Sequence, residues 1–366
     1  MGAVDLRLRY IEVHHWFAEI PAYGENEEIP SAYPPASFAI LWPLLGWLSF
    51  PASRWLWAVT SILAILAIIR AFVQGSEAAN RIERTLVAAV VIGTYPVGAA
   101  LGNGQLAIHV MACALWAVLR LARQEPGIRR YLVVPLVVFS MVKPSSALPF
   151  LVLALFLPGG ALPILLSAGI YLGLTFFAAA FQPAGLISLL RGMAAEANHL
   201  AGFKGTLHYA NLHAWVAELG VRWFPMAPSI AVLLLFAGWV FQHRKCDIWL
   251  LLGLSAIVTR MWTYHRWYDD VLILIPMIAL FRLMKADGSI SSKSVPAILF
   301  WSGLITMLAP GGLYVLPAPL PRIYTAWETL LWTAYLLFLA KTCMNSRLKI
   351  IGVRDTDAFG FQENSI

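Results

Sequence analysis

Charge is what this chain has least of. Asp, Glu, Lys and Arg make up 12% of its 366 residues against 60% hydrophobic, and a soluble domain of that length needs far more charged surface. Apolar runs of membrane length recur from about residue 35 to residue 342, and the mean hydropathy is +0.73, which makes this a polytopic membrane protein. The runs are continuous and rich in Leu and Ala rather than alternating, which excludes a transmembrane β-barrel. Cysteine is almost absent. Cys113, Cys246 and Cys343 stand far apart without ligand spacing, so neither a disulfide nor a zinc site is expected. No Gly-rich phosphate loop occurs, and no nucleotide site or other cofactor is expected. The net charge of +7 does not imply nucleic acid, because the basic residues fall in short loops between apolar runs, as cytoplasmic loops facing anionic lipid do.

What remains reads as an all-α, polytopic helical membrane protein with about nine to twelve transmembrane or re-entrant helices. Residues 1–342 form one membrane-embedded domain, with an acidic segment at 1–34 and a large loop at 182–225, followed by a polar tail at 343–366. Expected spans run over 52–72, 84–101, 105–122, 160–181, 226–242, 247–259, 270–284, 295–309 and 323–342. Several are too short to cross a hydrocarbon core of about 30 Å at about 1.5 Å per residue. Two places look like half-helices: 35–50, ended by Pro51, and the pair 131–142 and 145–157, broken at Lys143-Pro144. Irregular backbone at membrane depth is tolerated where it lines a cavity.

Arg and Lys set the orientation. Basic loops at Arg120–Arg130, His243–Lys245 and Arg282–Lys285 belong in the cytoplasm, as does the tail. The acidic first segment, the Gly102–Gln105 turn, the 182–225 loop and the 259–270 stretch then fall on the outer face of the cytoplasmic (inner) membrane, the periplasmic side. A spanning 35–50 helix conflicts with a cytoplasmic Arg81 and Arg84 unless one early segment is re-entrant.

With that topology the unusual polar side chains converge on one side: Asp5 and Glu12, Tyr33, Asn103 and Gln105, Lys143, Lys204, His208 and Asn211, and the cluster from Arg260 through Tyr264, His265, Arg266, Asp269 and Asp270. A transporter scatters such groups along a path through the bilayer instead. Two Arg, a His and two Asp among aromatics can hold an anionic headgroup. The same residues also have duller readings. Lys143 can snorkel to the interface, His265 and Arg266 can anchor a headgroup belt with Trp262 and Trp267, and Asn103 and Gln105 can cap and pack a helix start. Asp269 and Asp270 either ligate a cation or pair with Arg260 or Arg266, and pairing is the stronger reading. His14 and His15 point apart on a helix with no obvious third ligand, so no metal site is expected. Tyr33-Pro34-Pro35 sets the entry to the next helix.

The order of DLRLRY, YPPASFAILWPL, GNGQ opening an apolar helix, MVKPSSALPF and the Trp/His/Asp cluster resembles the polyprenol-phosphate-mannose-dependent α-1,2-mannosyltransferases of the multi-spanning, C-type glycosyltransferase superfamily. The resemblance covers about residues 5–285. It implies transfer of a mannosyl or other hexosyl or pentosyl residue from a polyprenyl phosphate donor to a glycan or glycolipid acceptor, with inversion and with Asp5 as general base. Lys143, Arg260, His265 and Arg266 would then bind the donor phosphate, and Glu12, Asn103, Gln105, Lys204, His208, Asn211, Tyr264 and Asp269 would line the substrates. In that family a transmembrane helix precedes the Asp, whereas four residues precede it here; the likeness implies an upstream start or a tail that crosses unaided. Two other functions use the same outer-face cluster, a lipid-linked oligosaccharide flippase and a surface-glycan ligase or polymerase. Only the first consumes no donor, and only the transferase needs Asp5.

Overall fold

The computed structural model describes residues 2–23, 31–125, 127–201, 215, 226–263, 265–286, 294–309, 317 and 319–357. Among these every regular element is helical, as the composition predicts. Three helices are long and apolar enough to cross a membrane by themselves: α3 (Phe50–Gly75), α9 (Ala161–Ala179) and α15 (Leu320–Asp357) over its part up to Asn345. α4 (Arg81–Gly93) and α5 (Tyr95–Asn103) make a fourth span if read together, bent by 49°. The single span expected at 84–101 is thus broken. Thr94 is extended, with φ of −78° and ψ of 140°, and Pro96 at the second position of α5 lacks the N–H a continuous helix needs.

The remaining apolar helices are short, and they form the interior. α6 (Ala107–Ala122), α8 (Pro144–Phe156), α12 (Ile248–Trp262) and α13 (Leu274–Ala286) bury most of their side chains against one another. A helix apolar on every face belongs inside a larger bundle. α7 (Val133–Ser140) meets α8 at the expected break by Lys143-Pro144, and α11 (Met226–His243) and α14 (Val295–Leu308) complete the wall. α10 (Leu186–Ala201) follows α9 within the loop expected at 182–225.

The bundle has two chemically distinct ends. At one, Arg282 reaches Gly75 O at 3.0 Å and Asp247 at 3.0 Å, Lys285 pairs with Glu83 at 2.5 Å, and Arg123 bonds Gln74 at 3.3 Å. At the other end lie the turns into α6, α8 and the segment after α12. α1 (Val4–Phe17) lies across this second end. Its Trp16 is fully buried, stacked on Phe38 at 4.3 Å and donating to Ala178 O of α9 at 2.8 Å. α2 (Pro35–Leu45) starts with Ser37 bonded to Val142 O and ends with Leu45 O at His14 of α1. Both of its ends therefore meet elements of the same end of the bundle.

Two further expectations change. Cys246 and Cys343 are joined as a disulfide, with Cα atoms 5.7 Å apart and a sequence separation of 97. Spacing alone could not reveal a pairing made by packing of α15 beside the α11–α12 turn. The last helix also runs on to Asp357, past the end expected at 342; its Lys, Met, Arg and Leu residues are good helix formers even where apolar character ends.

Candidate active site

The site grows from one glycine. Gly104 follows α5 with φ of +69°, and the N–H of Gln105 returns to Ala100 O at 2.8 Å, closing the helix. A Cβ at Gly104 would stand 2.7 Å from Leu6 Cβ of α1. The bare backbone therefore lets α1 settle on the turn, where the Ala3 N–H also donates to Gly102 O at 2.8 Å. One residue later, the Gln105 side chain donates to the Asp5 carboxylate. Gly104→Ala is expected to cost roughly 1–3 kcal/mol through left-handed backbone strain plus the clash. Faster proteolytic cleavage within residues 4–17, with the rest of the bundle intact, is the measurement that checks it.

α1 presents a polar stripe. Asp5, Arg9 and Glu12 fall at i, i+4 and i+7 on one face. Arg9 pairs with Glu12 at 2.6 Å and lies 4.2 Å over the Tyr33 ring. Burial pushes the Asp5 carboxyl above its ordinary 3.8, while Gln105, Arg9, Arg266 and Lys143 pull it back. Glu12, 3% exposed, is pushed up to about 7 by burial, against the pull of Arg9 and Ser31. The consequence for stability has a definite sign. Between its unfolded value of 4.5 and about 7, Glu12 holds a proton in the folded chain that it lacks in the unfolded one, so stability falls as pH rises through that window. Glu12→Gln should match the parent near pH 5 and be more stable near pH 8, by roughly 2–4 kcal/mol at most. Thermal unfolding at the two values checks this, and an equal offset at both would contradict it.

The other half comes from the turns into α8 and after α12. Lys143, at the start of α8, sets its Nζ 2.7 Å from Asp269 Oδ1 and 5.9 Å from the centre of the Tyr268 ring. Asp269 lies in a 3-10 helix, Trp267–Ile273. Its other oxygen accepts from the Arg266 N–H at 3.1 Å. Burial works to raise the Asp269 pKa, but Lys143, His265 and Arg260 together hold it below its ordinary value. Asp269 stays ionised and fixes the two cationic residues around it. Burial raises the Tyr268 pKa, with Asp269 adding to the rise.

His265 and Arg260 are enclosed more deeply than Lys143 and Arg266. His265 has 0% exposure; its Nδ1 donates to Thr263 O at 3.1 Å and its Nε2 meets Ser146 Oγ at 3.2 Å. Burial drives its pKa down to about 3, so it is neutral at working pH and presents no charge to a phosphate. Arg260 also has 0% exposure and is paired with Asp270, which bonds Glu328 in turn. A buried charge needs such a partner. Both residues hold the turn in shape. The pairing reading of the two aspartates stands, with Arg260 on Asp270 and Lys143 as a side-chain partner of Asp269. Arg266 keeps an exposed side chain, and Asn103 is half-buried in the last turn of α5. Lys204, His208, Asn211 and Tyr264 lie outside the described residues. Among the described residues no three His, Cys, Asp or Glu side chains are grouped to hold a metal ion.

Carboxylate, amide, lysine and exposed arginine thus converge at one end of a membrane bundle. The model of glycosyltransferase family 87 matches residues 32–284. The chain belongs to that family. No curated protein and no solved structure matches it. It is therefore a membrane glycosyltransferase, and the match spans Gln105, Lys143 and the 260–270 turn while beginning after Asp5 and Glu12.

Three residues of the candidate site escape the sequence reading. Arg9 was legible through its i, i+4 spacing from Asp5. Tyr268 sits inside the cluster but has no spacing signal of its own. Glu328, 2% exposed, is the one acid in the membrane-length part of α15, Leu320–Asn345, and a buried acid there marks a partner elsewhere in the bundle.

Proposed function

We propose that this enzyme transfers a sugar, mannose or a related hexose or pentose, from a polyprenyl phosphate carrier to a hydroxyl of a glycan or glycolipid. The reaction takes place at the outer face of the cytoplasmic membrane. The acceptor oxygen attacks the anomeric carbon as the C1–O bond to phosphate breaks on the opposite side; the hydroxyl proton passes to Asp5, and polyprenyl phosphate leaves with the bonding electrons. One base suffices for such an inverting step.

The observation that carries this reading is that Asp5, held by Gln105, lies within the electrostatic reach of Lys143 and Arg266. A base for the acceptor and cations for the departing phosphate are then neighbours. Positive charge fixed where negative charge develops is the largest lever available to such a site, and it removes the need to protonate the leaving group.

The test uses membranes containing the full chain, labelled polyprenyl phosphate mannose and a panel of acceptors. The reading expects loss of labelled donor, release of polyprenyl phosphate and an inverted glycosidic bond in the product. Translocation of an intact donor would instead identify a flippase. A retained anomeric configuration would remove the single-base mechanism.

A further inference from the structure

A second site lies well away from the Asp5 end. α3 and α6 diverge around a cavity of about 750 Å³, open along one side and reaching Leu136 and Phe139 of α7. Small side chains, Ala64 and Ala67 on α3 and Ala112 on α6, hollow it out. Its floor is pinned by Trp116, whose indole N–H donates to Ala67 O at 3.0 Å, and by His109, whose Nε2 lies 3.0 Å from Thr60 Oγ1. From Thr60 to Gln74 the groove follows α3 for about 21 Å at helical rise. That exceeds the depth of one leaflet, half of a core of about 30 Å.

The walls are apolar but the far mouth is not. Arg70, Arg120 and Arg123 line it, at the end of α6 remote from Gln105. Arg123 bonds Gln74 across the mouth at 3.3 Å, and the Arg120 guanidinium is 3.4 Å from Glu125. Arg70 is exposed and has no ion-pair partner among the described residues. Three guanidinium groups against one carboxylate make a cationic collar on a hydrocarbon-lined slot.

We propose that this groove binds one anionic phospholipid, its phosphate held by Arg70, Arg120 and Arg123 and an acyl chain laid between α3 and α6. Charge complementarity selects the occupant. Guanidinium groups recognise phosphate through paired N–H donors, and in an anionic lipid the phosphate charge is not cancelled by a headgroup cation, as it is in phosphatidylcholine. The sugar donor is a poor fit, because its reacting phosphate belongs beside Asp5, about 24 Å away along the sixteen residues of α6. The groove lies away from the proposed catalytic site, and the exclusion of the donor as its occupant rests on the proposed placement of the reacting phosphate beside Asp5.

Native mass spectrometry on the full chain tests this, with palmitoyl-oleoyl phosphatidylglycerol titrated against phosphatidylcholine of the same chains. Phosphatidylglycerol should bind roughly tenfold tighter, a difference of about 1.4 kcal/mol, because no choline cation offsets the charge its phosphate presents to the arginines. Arg70→Gln with Arg123→Gln should erase the preference. Ala67→Phe, which fills the slot and leaves the arginines in place, should lower occupancy by both lipids. Equal affinity for the two headgroups, a preference surviving the double replacement, or full occupancy in Ala67→Phe overturns the proposal. Displacement of phosphatidylglycerol by polyprenyl phosphate also overturns it, because the groove would then serve the carrier lipid.

Discussion

Asp5→Asn is expected to lower glycosyl transfer between about a hundredfold and ten-thousandfold, the range a positioned general base contributes, with little change in stability. Asn is nearly the same shape and its carbonyl oxygen still accepts the Gln105 side-chain N–H seen in the parent, so α1 should remain docked. What it cannot do is take a proton. Initial rates at saturating donor, compared with donor affinity measured in the absence of acceptor, separate the two effects: the rate should collapse while donor binding stays within a few fold. Burial holds the Asp5 carboxyl above its ordinary 3.8. The parent's rate should therefore fall on the acid side at a pH above that of a solvated Asp, because only the ionised form accepts the proton. Asp5→Asn should show no such acid limb in its residual activity. Transfer by Asp5→Asn at the parental rate would remove Asp5 as the base.

The parts of this architecture that were legible are those carried by composition and by helix-breaking residues. Scarce charge and continuous apolar runs announced helices in a membrane, and Lys143-Pro144 marked the hairpin between α7 and α8 because proline forces the preceding residue out of helix. The GNGQ turn was readable as a special place, but not why: Gly104 needs both a positive φ and the absence of a side chain against Leu6, and the second requirement depends on a segment a hundred residues away. The same limit hid the disulfide and the Asp269–Lys143 pair. Charge signs in the 260–270 cluster showed that ion pairs would form, but which cation meets which carboxylate is settled by how α8 and α12 cross. Trp262 decides part of that crossing by donating to Ser145 O at 2.7 Å. His265 misled because a His beside Arg and Asp in sequence looks like a charged ligand, whereas burial with both nitrogens engaged makes it a neutral strut.

Lys143 carries the second large effect, and its pairing with Asp269 makes the test a cycle rather than a single change. The pair is 2.7 Å long and its side chains are 14% and 2% exposed. Lys143→Met alone should destabilise the protein by about 3–5 kcal/mol, since Asp269 is left buried with its compensating charge gone. It should also abolish transfer, and the single variant cannot say whether activity was lost through the fold or through the phosphate. Asp269→Asn added to Lys143→Met removes the orphaned carboxylate and should recover most of the lost stability. If Lys143 neutralises the departing phosphate, the double variant folds but still transfers at least about a hundredfold more slowly, the loss typical of one missing electrostatic contact to a transition state. If Lys143 serves only to satisfy Asp269, activity returns together with stability. Unfolding temperature and initial rate measured on all four members of the cycle distinguish these outcomes. The exposed Arg266, whose backbone N–H is held by the same Asp269 carboxylate, gives an internal check. Arg266→Gln leaves the buried pair intact and should weaken transfer without the large loss of stability.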